Sequence, residues 1–203
     1  DLAKVANEHE LLILADEVYE KMVFDENEHF SIASQSEFRN STITVNSFSK
    51  TYAMTGWRVG YVVANEEMTT GIRKIHGYMV SCAPASAQKA ALEALSGPQD
   101  SVSEMIEEYR RRRDLIVTGL NAISGFQCMP PKGTFYAFPE VSKLGMPSAK
   151  IAEELLEQAK VASIPGSAFG EAGEGYLRLS FAASQQSIED ALSRINAWRS
   201  QRK

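Results

Sequence analysis

Cysteine is scarce in this chain: its 203 residues include only Cys82 and Cys128. Two cysteines so far apart have no metal-ligand spacing and cannot frame a disulfide scaffold, so a reduced, cytoplasmic compartment is the default expectation. Histidine is equally sparse. His9, His29 and His76 are scattered without ligand spacing and read as surface or packing residues, and no metal site is expected. No apolar run is long enough to cross a bilayer, and the N-terminus has no signal-peptide pattern. A basic surplus is also missing. Lys and Arg number 21 against 26 Asp and Glu, a formal charge of -5, which argues against a nucleic-acid or anionic-membrane binder. A local pocket for one small anion remains open. Internal repeats and low-complexity stretches are absent.

What is present suits a globular chain. Hydrophobic residues make up 44% and charged residues 23%, enough for a sizeable core. Residues 1–10 read as the later turns of an amphipathic helix with Leu2, Val5 and Ala6 on one side. They lead into an apolar run, as in a strand-helix-strand unit lacking its first strand. Strands are expected at Leu11–Ala15, Thr42–Asn46 and Arg58–Ala64, among helical stretches, which points to an α/β layer. Helical patterning follows from about Glu66 to Leu95, and Gly97-Pro98 punctuates the chain. A long helix from Ser101 to about Ala122 would bury Met105, Ile106, Tyr109, Leu115, Ile116 and Leu120. Beyond Gly125, short strands near Phe126–Met129, Thr134–Phe138, Val161–Ile164 and Tyr176–Ser180 alternate with helices at Ser148–Ala159 and Ser187–Ser200. This is the pattern of a compact α+β domain. The expected division is 1–100 and 101–203.

Four places could carry chemistry. Asp16-Glu17 follows the run Leu11 to Ala15, and ligands of open parallel sheets bind beyond the carboxyl ends of strands. Alone, an acidic strand end meeting solvent is the commoner meaning. Ser47-Phe48-Ser49-Lys50-Thr51-Tyr52 also follows an apolar strand. A lysine there could form a Schiff base if burial or a nearby positive charge depressed its pKa, although most lysines are simply solvated. Gly56-Trp57-Arg58-Val59-Gly60 offers a guanidinium fork suited to phosphate. Tyr176-Leu177-Arg178-Leu179-Ser180 places an arginine inside a strand, which calls for a carboxylate partner, internal or from a substrate. The run Arg110 to Arg113 reads as a solvated helical face paired with Glu104, Glu107 and Glu108.

The order and spacing of these motifs resemble the class I and II pyridoxal-phosphate-dependent aminotransferases of fold type I. The matching stretches are Ala15 to Tyr19, Ser47 to Tyr61, Gly133-Thr134-Phe135-Tyr136, Pro165 to Gly170, and Tyr176 to Phe181. The resemblance runs end to end, and Ser47 to Gly60 is its most specific part. It implies that 1–100 is the C-terminal part of a large cofactor-binding sheet domain and 101–203 a small C-terminal domain. It further implies transfer of an amino group from an L-amino acid to a 2-oxo acid, in a homodimer.

By the same resemblance, Lys50 carries pyridoxal 5'-phosphate and shuttles the substrate's α-proton. Asp16 pairs with the pyridine nitrogen, and Tyr19 donates to the cofactor's phenolic oxygen. Ser47 and Arg58 hold the phosphate, with Ser49 as a companion, and Arg178 clamps the substrate's α-carboxylate. Gly133–Tyr136 and Pro165–Gly170 line the substrate side. The family's glycine-containing phosphate loop, stacked aromatic ring, asparagine and dimer-crossing tyrosine have no counterpart here, so the chain resembles a C-terminal portion. The resemblance also implies that a strand of the missing half lies between the strands bearing Asp16 and Lys50. Two alternatives share the fold: a carbon–sulfur lyase using the same Lys50, Asp16 and Arg58, and the effector domain of a transcription regulator.

Overall fold

The computed structural model describes residues 1–202. The chain divides into two compact units, 1–103 and 104 onward. The first contains α1 (Leu2–Glu8), β1 (Ile13–Asp16), β2 (Thr42–Ser47), α2 (Phe48–Thr51), β3 (Gly60–Val63), α3 (Glu66–Met79) and α4 (Ala85–Ser96). Its sheet has the order β1-β2-β3. β1 runs parallel to β2, with Ile13 opposite Thr42 and Asp16 opposite Val45. β3 is antiparallel to β2, with Ser47 opposite Gly60. Contrary to expectation, no strand separates β1 from β2; their backbones pair directly.

Side chains of this unit cluster where Phe48, Met54 and Val59 pack against Ala87 and Ala91 of α4. The small alanine face allows α4 a close approach to the turn around α2. α3 is capped by Asn65, whose side chain accepts from the Met68 amide at 2.9 Å, and carries Glu66 and Glu67 in its first turn. The helical patterning expected from about Glu66 to Leu95 resolves into these two helices, separated at Ser81, with a φ of 60°, and Pro84. α1 buries Ala3, whereas Leu2 and Val5 of the expected stripe are exposed.

The second unit holds most of α5 (Asp100–Asn121), then β4 (Tyr136–Ala137), α6 (Ser148–Gln158), β5 (Ile164–Pro165), β6 (Leu177–Ser180) and α7 (Gln185–Ser200). Its strands order β4-β6-β5, both neighbours antiparallel to β6. Leu120, Ala137, Val141, Ile151, Leu155, Leu177, Phe181 and Ile195 form a closely packed interior. The strand expected near 126–129 reduces to one bridge, Gln127 to Glu140. There Asn121 holds both backbone groups of Cys128, in place of a neighbouring strand. Burial pushes the Cys128 thiol up to about 11.

Along α5 the arginine run divides. Arg110, Arg111 and Arg112 pair with Glu107 and Glu108 on the surface, but Arg113 is buried and meets Asp114 at 2.7 Å. Four consecutive helical residues sweep about 300° of the circumference, so one of four arginines must turn inward. Among the described residues, no helix is long and apolar enough to cross a membrane.

Candidate active site

Asp16, the Ser47–Lys50 segment and Arg58 converge at one edge of the first unit's sheet. The cause is topological. β1 and β2 are parallel, so both end at this edge; β3 is antiparallel to β2, so it begins there. Asp16 is the last residue of β1, and its exposed carboxylate accepts a hydrogen bond from the Val18 amide at 3.2 Å. Tyr19 lies within the tight turn that follows, closed by Glu20 N donating to Glu17 O at 2.9 Å.

Ser47 ends β2 and caps α2, its Oγ accepting from the Ser49 amide at 3.1 Å. The Ser47 hydroxyl also donates to Ser49 Oγ at 2.9 Å, so two hydroxyls sit side by side. Lys50, half-buried, follows on the same short helix. Arg58 occupies the turn into β3 with a φ of 52°, a left-handed conformation that costs a non-glycine residue on the order of 1 kcal/mol. Its Nη1 donates to Thr55 O at 2.9 Å, and no carboxylate pairs with it among the described residues. Gly60 lets β3 close on β2, since a Cβ there would lie 2.6 Å from Asn46 O.

Glu17 was assigned no role by the sequence, and His29 was set apart as a surface or packing residue. The structure joins them. Glu17 is 7% exposed; its Oε1 accepts from Ser31 Oγ at 2.9 Å, and its Oε2 lies 3.2 Å from His29 Nε2. Glu20, Glu17 and His29 each bring a ligand-type atom within 4.8 Å of the others. Glu17 is already satisfied by two protein partners, so the group needs no ion to account for it.

In the second unit, Arg178 sits half-buried in β6. Its guanidinium lies 4.5 Å from the Tyr136 ring centroid and 4.9 Å from that of Phe169. The two rings come from the two segments expected on the substrate side. Of the two partners its place in a strand calls for, an internal carboxylate or a substrate's, no internal one pairs with Arg178 among the described residues. Phe138 supports this cluster, stacked on Tyr176 at 5.1 Å and edge-on to Phe169 at 6.1 Å. The loop bearing Phe169 is pinned by a glycine pair. A Cβ on Gly166 or Gly173 would collide with the other's carbonyl oxygen.

The family described as "Aminotransferase class I and II" matches residues 1–195. The chain is 44% identical over 197 residues to the aspartate aminotransferase of Pyrococcus abyssi, covering 96% of this chain and 50% of that protein. It is 43% identical over 197 residues to aromatic-amino-acid aminotransferase 2 of Thermococcus litoralis, with the same coverage. The crystal structure of the aromatic aminotransferase from Pyrococcus horikoshii OT3 superposes with a TM-score of 0.95 at 42% identity, covering 99% of this chain and 54% of that one. The chain thus spans about half the length of the curated relatives it matches.

Proposed function

The chain belongs to the class I and II aminotransferase family, and from that premise we propose that it is the C-terminal portion of a pyridoxal-phosphate-dependent aminotransferase. Its reaction moves the amino group of an L-amino acid to a 2-oxo acid. The first unit is the end of the cofactor-binding sheet domain, and the second is the small C-terminal domain. The observation that carries this reading is the meeting of a carboxylate, paired hydroxyls, an amine and a guanidinium at one sheet edge.

Pyridoxal 5'-phosphate has an aldehyde, a basic ring nitrogen and a phosphate, and this donor set fits all three. Lys50 supplies the amine for the aldehyde. The exposed Asp16 carboxylate suits a protonated ring nitrogen. The Ser47 and Ser49 hydroxyls and the guanidinium of Arg58, which pairs with no carboxylate among the described residues, suit a phosphate. When bound, the group supplies an electron sink for the bonds of the substrate's α-carbon.

The chain's own residues do the rest. Asp16 keeps a proton on the ring nitrogen by favouring its charged form. Tyr19 donates its phenolic hydrogen to the neighbouring ring oxygen. Arg178 takes the α-carboxylate in a two-pronged hydrogen bond, its plane fixed by Tyr136 and Phe169. The Lys50 amine would take the proton from the substrate's α-carbon and hold it for return across the transferring nitrogen.

The test is chemical. Borohydride reduction of the holoenzyme followed by peptide mapping should find the pyridoxyl group on Lys50. A label on Lys74, Lys89 or Lys132 would refute the assignment. Lys50→Ala should keep some non-covalent cofactor and lose nearly all turnover, a fall of roughly three or more powers of ten. Assays with 2-oxoglutarate should show amino transfer; release of ammonia and pyruvate instead would mark a lyase.

A further inference from the structure

Asp16 and Glu17 are adjacent, yet only one of them faces the edge just described. Successive residues of an extended chain point to opposite sides. Asp16 is accordingly exposed, and Glu17 turns inward and is buried. A buried carboxylate without partners would be costly, and Glu17 has two: the Ser31 hydroxyl at 2.9 Å and the His29 imidazole at 3.2 Å. Both come from the far end of the loop that begins at Glu17.

Glu17 is also the first residue of the turn that follows β1. Its amide donates to Val45 O at 2.9 Å, which fixes it to β2, and its carbonyl accepts from the Glu20 amide at 2.9 Å, which closes the turn. Inside that turn lie Val18, whose amide fixes the Asp16 carboxylate at 3.2 Å, and Tyr19. A second turn, Met22 N to Tyr19 O at 2.9 Å, continues it. A continuous set of contacts therefore runs from His29 and Ser31 through Glu17 to the groups that orient Asp16 and Tyr19.

We propose that Glu17, clamped by His29 and Ser31, is a positioning residue that sets the direction of Asp16 and Tyr19 toward the cofactor's ring. The proposal rests on the reading of Asp16 and Tyr19 as cofactor residues. Glu17 itself touches neither cofactor nor substrate, because its side chain lies on the opposite side of the strand end. The charged neighbours of His29 in this group are Glu17 and Glu20. The imidazole can donate through Nε2 whether neutral or protonated, so the clamp does not require a charged histidine.

The experiment reads the bound cofactor's visible absorbance against pH, together with the cofactor's dissociation constant, in the holoenzyme. Tyr19 donating to the ring oxygen stabilises the deprotonated chromophore, so a loosened turn should move the absorbance midpoint upward, by about half a pH unit or more. Glu17→Ala should produce this shift and weaken cofactor binding about tenfold. Glu17→Gln should restore most of both, because an amide can accept from Ser31 and donate to a neutral His29 Nε2. Should Glu17→Ala fail to fold, His29→Ala and Ser31→Ala each remove one contact and should give smaller shifts in the same direction. Asp16→Asn separates the proposal from the reading beneath it. If Asp16→Asn alters the spectrum while the Glu17, His29 and Ser31 variants leave midpoint and affinity at parental values, the positioning role is wrong and the cofactor assignment stands. If Asp16→Asn leaves the spectrum unchanged, the cofactor assignment itself falls and takes the proposal with it.

Discussion

The two units treat apolar surface in opposite ways. In the second, Leu120, Ile151, Leu155, Leu177 and Phe181 are all but sealed from solvent. In the first, β1 and β3 are the outer strands of a three-stranded sheet, and Leu14, Tyr61, Val62 and Val63 lie open upon them. Tyr78 and Met79 of α3 are open as well. The second unit buries what its sequence marks for burial. The first carries residues patterned for a core that its own segments do not supply. Its polar edge is therefore ordered by short-range devices: a capped helix turn at Ser47, the tight turn after Asp16 and the Glu17 clamp. Beneath it lies the small cluster of Phe48, Met54 and Val59 against Ala87 and Ala91.

Matched truncations in the 203-residue chain would strain that contrast most. Leu155 is fully buried, so Leu155→Ala should cost about 2–5 kcal/mol of unfolding free energy. Leu14, 71% exposed, should tolerate the same change within about 0.5 kcal/mol. Urea unfolding can follow each unit by its own tryptophan, Trp198 in the second and Trp57 in the first. Equal costs would mean that the β1 edge is covered in solution.

Next in size is a contrast between two arginines in the holoenzyme. Arg58→Ala should weaken cofactor retention by one to two decades, since a charged hydrogen bond to phosphate is worth roughly 1.5–3 kcal/mol. Arg178→Lys should leave retention alone. It should lower kcat/KM about tenfold for all amino-acid substrates alike, because the planar fork is lost while the charge stays. A changed preference between acidic and aromatic substrates with a spared common rate would make Arg178 a side-chain reader instead.

The smallest effect concerns the ionic surface of α5. Hydrogen bonds from Gln185, then from Arg112 and Arg111, hold the Glu108 carboxyl down at about 2, against 4.5 for the free group. Its folded-state pKa is lowered, so its contribution is present above about 4.5 and is lost as pH falls toward 2. Glu108 is 28% exposed, and screening by solvent reduces the gain. Glu108→Gln should lower the melting temperature by about a degree or two at pH 7 and by much less near pH 2. A drop that persists undiminished at pH 2 would assign the effect to packing.

What the sequence made legible was local. β1, β2 and β3 could be read because each is an apolar run next to a turn signal. Lys50 and Arg58 could be read because they lie within one continuous motif. The direct pairing of β1 with β2 could not, since strand order depends on segments thirty residues apart. Arg113 was misread because a run of like charges suggests one solvated face, although a helix cannot keep four consecutive residues on one side. The strand expected at 126–129 had the right alternation, with Phe126 and Cys128 buried, but it lacks a neighbour beyond the Gln127 bridge. The link from Glu17 to His29 and Ser31 spans a loop without periodicity, and only the folded chain brings those side chains within reach.

The glycine pair under the Phe169 loop limits how this protein can diversify. Gly166 and Gly173 touch backbone to backbone, so a side chain at either would prise the loop away and carry Phe169 off Arg178. Neither position is open to mutational exploration. Ser167, Ala168 and Phe169 lie between them with exposed side chains, and they can change while the backbone stays where it is. A lineage that altered the surface beside Arg178 would record that history in these three positions, with both glycines unchanged. Selection experiments that randomise 166–169 should return glycine at 166 and variety at the other three.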